Sequence, residues 1–150
     1  MPADSNIHAT AVLAGPKAVL IRGPSGSGKS LLAWNLINAP SQGLLPFTRL
    51  VGDDRLHVEA AHGRLLVRPA EALAGLVEVR GLGIRKVPFE GTAVVGLVVD
   101  LAAPDSERLP ERKSAIAEVA GITLPRLAVA PWEDPLPLLI AALHTTDSGV

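Results

Sequence analysis

Lys17-Ala18-Val19-Leu20-Ile21-Arg22-Gly23-Pro24-Ser25-Gly26-Ser27-Gly28-Lys29-Ser30 is the stretch that decides the fold of this 150-residue chain. Its first six residues are β-prone and run into a glycine, and residues 31–38 beyond it carry apolar side chains on several faces, as a buried helix does. Strand, loop and helix in that order are the setting in which G-x-x-x-x-G-K-S curls its backbone N–H groups toward a phosphate at the positive end of a helix. With glycine near ~7% of residues on average, the four fixed positions coincide by chance in about one chain in a hundred or fewer. Gly23, Gly26 and Gly28 let the loop curl, with Pro24, Ser25 and Ser27 between them. Lys29 then reaches the β- and γ-phosphates of ATP, and the Ser30 hydroxyl ligates Mg2+.

Outward from that core the chain reads as α/β, a P-loop kinase-like unit with a mixed sheet flanked by helices. Residues 94–100 form the most apolar strand candidate, suited to the centre of a sheet. Residues 50–54 read as a short strand ending in Asp53-Asp54, and 55–60 and 64–67 as a hairpin around Ala61-His62-Gly63. Pro69 is expected to open a helix that runs to about Leu76. Residues 104–110 read as a polar loop and 136–144 as a terminal helix.

A chain of this length with 48% hydrophobic residues buries roughly two-thirds of its unfolded surface, so residues 1–150 are expected to form one domain. Fourteen Lys and Arg against fifteen Asp and Glu leave a net charge of -1, with no basic field for a nucleic acid. Cysteine is absent, which excludes disulfides and thiolate metal sites and fits a reducing compartment. No apolar run reaches the ~18 residues of a membrane span, so a cytoplasmic protein is expected, with neither membrane nor nucleic acid as partner.

A phosphate loop does not say what receives the phosphate; a carboxylate must hold the metal or take the acceptor's proton. Two candidates stand. Asp100 ends the more apolar strand, the usual place for the acidic residue of a nucleoside triphosphatase. Asp53-Asp54 ends a shorter strand as a mutually repelling pair, of which one member can serve as the better base.

Leu76-Val77-Glu78-Val79-Arg80-Gly81-Leu82-Gly83-Ile84 resembles the signature segment of the bacterial HPr kinase/phosphorylase family, and the likeness extends over residues 8–109. By composition alone this stretch is a strand running into a glycine turn. The resemblance implies an ATP- and Mg2+-dependent phosphotransferase acting on a serine of the phosphocarrier HPr or a homologue, in control of the phosphotransferase system, and an oligomer, hexameric in the family. It also implies roles. Lys29 is similar to the family's phosphate-binding lysine and Ser30 to its magnesium-binding serine. Asp54 matches the proton acceptor, with Asp53 as supporting neighbour, and Glu78 matches the second magnesium ligand. His8 matches a catalytic-site histidine that would tune the aspartates. Arg108 is similar to a catalytic arginine that steadies charge on the moving phosphoryl group.

There are departures from the family pattern. Most members carry a further N-terminal domain, and only the catalytic core is resembled here. Leu31 stands where an acidic residue commonly follows the serine, and the span from Glu78 to Arg108 is shorter than usual. The family's closing segment carries arginines linked to dephosphorylation, whereas nothing after Arg126 is Lys or Arg, so little phosphorylase activity is expected. Two rival readings remain. A small-metabolite P-loop kinase would need an arginine-bearing lid, and none stands out. A nucleotide-sensing regulatory module would bind ATP without transferring phosphate.

Overall fold

Along the strand that feeds the phosphate loop, Ala18 and Leu20 are buried in one apolar cluster and Val19 and Ile21 in another. A strand apolar on both faces belongs inside a sheet that is covered on both sides. The computed structural model, which describes residues 4–146 and 148, has this architecture. The elements are β1 (Asp4–Ile7), β2 (Thr10–Ala14), β3 (Lys17–Arg22), α1 (Lys29–Asn38), β4 (Thr48–Gly52), β5 (Leu56–Ala61) and β6 (Arg64–Pro69). They continue with β7 (Leu76–Val79), β8 (Gly83–Lys86), β9 (Ala93–Asp100), β10 (Ile116–Val119), β11 (Ile122–Ala128) and α2 (Pro135–His144).

The apolar strand foreseen over 94–100 is β9, and it is the hub of a nine-stranded mixed sheet. It runs parallel to β3 along one edge, with Val19 opposite Leu97 and Arg22 opposite Asp100. Its other edge is divided. The first half pairs antiparallel with β6 through Leu66 and Val67, and the second half pairs parallel with β11 from Arg126 to Ala128. One strand serving three neighbours makes the sheet curl. From β6 the path continues to β5 and β1, and from β3 to β2 and β4. Inside the curl lie Leu20, Leu56, Val58, Leu65, Val67 and Val98. On the opposite face α1 and α2 cover Val12, Val19, Ile21, Leu50 and Val99 with Leu32, Leu36 and Leu139.

The hairpin joins β5 to β6 through His62 and Gly63, both at positive φ (54° and 75°), as a two-residue turn requires. The strand expected over 50–54 ends earlier, at Gly52. A side chain there would collide with Leu56 and with Pro69, so the chain needs glycine where it turns toward the two aspartates. The expected helix from Pro69 to Leu76 does not form. Pro69 is the last residue of β6, only Glu71–Leu73 makes a short 3-10 turn, and Leu76 begins β7. A proline satisfies a strand end as well as a helix start, because both positions dispense with its N–H. Among the described residues no helix is long and apolar enough to cross a membrane.

Candidate active site

Asp53 is the point on which the site is built. It lies just past β4, is only 5% exposed, and a carboxylate buried this deeply requires donors. Thr10, at the head of β2, donates its hydroxyl to Asp53 Oδ1 at 2.8 Å. Ser30, in the first turn of α1, directs its hydroxyl at both carboxylate oxygens, 2.8 and 2.9 Å away. The backbone N–H of Glu78 in β7 donates to Oδ2 at 3.1 Å. Three elements are thereby tied to one side chain.

Asp54 turns the other way. Its φ of 70° is one that Asp tolerates better than most residues, and its N–H donates to Thr10 Oγ1 at 3.3 Å. That twist separates the two carboxylates: Asp53 goes into the protein, and Asp54 faces an open cavity of about 590 Å³. The same cavity is lined by Lys29, Ser30 and Glu78, together with Thr10, Trp34 and Arg80.

The loop itself is shaped for an anion. Gly26 and Gly28 sit at φ 81° and 99°, with open space where a Cβ would lie. Lys29 Nζ folds over the loop and donates to the carbonyls of Gly23 and Pro24 at 2.8 and 3.1 Å. Ser27 Oγ is buried with no hydrogen-bond partner among the described residues. An orphaned donor beside curled N–H groups and an ammonium fits a polyphosphate, whose oxygens would satisfy all three. No cluster of three or more His, Cys, Asp or Glu side chains occurs among the described residues. Mg2+ does not need one, since it keeps several waters and takes one or two carboxylates with phosphate oxygens, a demand that Ser30 and Glu78 can meet.

Asp100, the rival carboxylate, is committed elsewhere. Arg22 grips it in a bidentate pair at 2.7 and 2.8 Å, and Arg126 Nε donates to Oδ2 at 2.6 Å. Burial alone would push its pKa up, but the hydrogen bonds and charges of Arg22 and Arg126 outweigh burial and hold the carboxyl below the usual range. Arg126 also holds Asp105 at 2.8 and 3.0 Å and the Ser114 carbonyl at 3.0 Å, and its own pKa is raised, first by Asp105. This network fastens the loop after β9 to the base of the phosphate loop.

A family model described as the HPr Serine kinase C-terminal domain matches residues 1–130. The chain belongs to the HPr kinase C-terminal domain family. The HPr kinase/phosphorylase of Clostridium tetani is 35% identical over 85 residues, 57% of this chain and 26% of its own length. That of Clostridium beijerinckii is 36% identical over 81 residues, 54% of this chain and 24% of its own. The chain thus spans about a quarter of the length of these curated relatives. The structure of the HPr(Ser) kinase/phosphatase from Coxiella burnetii superposes with a TM-score of 0.72 at 25% identity, covering 93% of both chains. The curled mixed sheet with few helices matches the fold of the HPr kinase C-terminal domain.

Of the residues singled out in the sequence, Lys29, Ser30, Asp54 and Glu78 meet in one cavity, and Asp53 lies beneath it. His8 and Arg108 are exposed and do not line it. Thr10, two residues beyond His8, is the buried partner of the aspartates instead. Thr10, Trp34 and Arg80 escaped the sequence reading. A lone threonine opening a strand carries no spacing signal, and Trp34 reads as helix core. Arg80 stood inside the quoted signature segment and could have been found there.

Proposed function

We propose that this domain is an ATP- and Mg2+-dependent kinase that phosphorylates a serine on a small phosphocarrier protein, HPr or a homologue. What carries the reading is the convergence on Asp53: one buried carboxylate binds the side chain of Ser30 and the backbone of Glu78, the two residues assigned to the metal. It thereby holds them at the mouth shared by Lys29 and Asp54.

In this reading the loop N–H groups and Lys29 grip the β- and γ-phosphates. Bound Mg2+ would neutralise charge on those oxygens. Asp54, unburdened by the bonds that hold Asp53, accepts the proton of the incoming serine. The serine oxygen bonds to the γ-phosphorus as the bond to the bridging oxygen breaks, and ADP leaves. Asp53 acts through its neighbours, as a positioning residue. The family membership and the names of the relatives support the choice of a phosphocarrier as acceptor. The reverse reaction is expected to be weak, because a phosphoserine would enter beside bound phosphate as a second anion.

The test is incubation with γ-labelled ATP, Mg2+ and purified phosphocarriers, followed by mapping of the label. A single labelled serine supports the proposal. ATP binding with no labelled carrier and no labelled small molecule would favour the sensing module, and a labelled metabolite would favour the small-molecule kinase.

A further inference from the structure

A second cavity, of about 280 Å³, opens on the other side of the phosphate loop. One wall is Pro24 to Ser27 of the loop; the other is Leu101 and Ala102 after β9 and Val129, Ala130 and Pro131 after β11. Ser25 and Gly26 line both cavities, so the two are joined across the loop's crest. A polyphosphate lying on the loop N–H groups therefore has two distinct ends. The end beside Lys29, Ser30, Asp54 and Glu78 meets the reactive carboxylate and must be the terminal phosphate. The other end leaves over Ser25 and Gly26 into the second cavity, where whatever the polyphosphate is attached to must sit.

The chemistry of that cavity suits an aromatic base with a sugar. Its lining combines apolar side chains, Leu101, Val129 and Pro131 among them, with Ser25, Ser27 and Glu133. Trp132, between the lining residues Pro131 and Glu133, is 85% exposed. An indole exposed to water beside such a cavity offers a flat face on which a base can stack. Glu133 is fixed in place by accepting from the Ala130 N–H at 3.0 Å through one oxygen. Its second oxygen is a further acceptor at the cavity lining, suited to hydroxyl or amino groups.

Resting on the phosphate-loop reading above, we infer that the 129–135 segment is the nucleoside clamp of this domain, with Trp132 stacking on a purine base. The segment's acidity suits a ribose and an exocyclic amine, both hydrogen-bond donors. The sequence holds two tryptophans, and they divide between the cavities: Trp34 lines the carboxylate side and Trp132 flanks the nucleoside side.

The experiment compares Mg2+ pyrophosphate with MgADP by calorimetry and tryptophan emission, in the wild type and in Trp132→Ala, Trp132→Phe and Trp34→Phe. MgADP is expected to bind about ten-fold or more tightly than pyrophosphate, the scale of one stacked base. Trp132→Ala should lower ADP affinity to the pyrophosphate level and leave pyrophosphate unchanged, while Trp132→Phe keeps most of the preference. In Trp34→Phe, the remaining indole should respond to MgADP and stay silent to pyrophosphate. Equal affinity for both ligands, or undiminished ADP binding by Trp132→Ala, overturns the nucleoside clamp and leaves the phosphate loop standing. Failure of both ligands to bind overturns the loop reading and the clamp with it.

Discussion

The hydroxyl of Ser30 lies 2.8 Å from Oδ1 and 2.9 Å from Oδ2 of Asp53, a residue 23 positions further along the chain. This contact fixes where the first turn of α1 stands relative to the end of β4. It makes the two residues energetically dependent on each other. Ser30→Ala and Asp53→Asn should each cost about 1–3 kcal/mol in urea denaturation, the worth of hydrogen bonds to a charged group. The double variant should cost clearly less than the sum, since residues sharing a hydrogen bond couple. Additive losses would show that the contact contributes nothing to the folded state.

The carboxylates can be ranked by single-turnover transfer. Asp54→Asn is expected to retain the fold and nucleotide affinity and to lower transfer by about 100-fold or more, the usual loss of a general base. Asp100→Asn should leave the chemical step much less affected. The reverse order would place the chemistry on β9.

Removing the cation at the loop has a different signature. Lys29→Ala should abolish transfer and also weaken nucleotide binding, because in the proposed mechanism the ammonium grips the phosphates in both ground and transition states. Unchanged turnover would remove Lys29 from the mechanism.

The Asp100 network predicts an acid limb. Its carboxyl titrates below the usual range in the folded protein, so its contribution to stability is complete above the unfolded value of about 4. That contribution is lost as pH falls through the lower folded value. Urea midpoints measured from pH 7 down to pH 3 should show this decline in the wild type. Asp100→Asn should start lower at pH 7, with Arg22 and Arg126 left unpaired, and should decline less steeply. Parallel curves for the two proteins would contradict the assignment.

The Asp54 cavity carries a prediction about direction. A phosphoserine entering it beside bound phosphate brings two anions together, with Asp54 and Glu78 adding to the repulsion and only Lys29 and Arg80 among its lining side chains to offset it. Pyrophosphate release from the phosphorylated carrier in millimolar phosphate should therefore run well below the forward rate at equal enzyme. Comparable rates would show that cations are supplied from elsewhere, a neighbouring subunit included.

How much of this was legible depended on how local each signal was. The strand, phosphate loop and helix of residues 17–38 announce themselves because glycine spacing and apolar pattern lie within one short stretch. Residues 94–100 were legible as the central strand because burial on both faces leaves an unbroken apolar run. The role of Pro69 was not legible, since a proline marks a strand end and a helix start by the same missing donor. Nor was the burial of Asp53 beside its exposed neighbour. That difference is set by a twist at Asp54 and by partners at Thr10 and Ser30, which only the folded sheet brings near. The second cavity was equally hidden, because its walls come from the loop, the end of β9 and the end of β11.

The bonds to Asp53 span 43, 23 and 25 residues of chain. Each needs the end of β4 brought against a distant element, β2, α1 or β7, whereas the curl of the phosphate loop lies within one short stretch of chain. Contacts of such separation form late, after their loop-closure entropy has been met by the rest of the sheet. A nascent or partly unfolded chain could thus grip a polyphosphate without the means to transfer it. The amide hydrogen of Glu78, bonded to that same carboxylate, is the natural reporter of when grip becomes competence: its exchange with solvent is expected to slow as the bond to Asp53 closes.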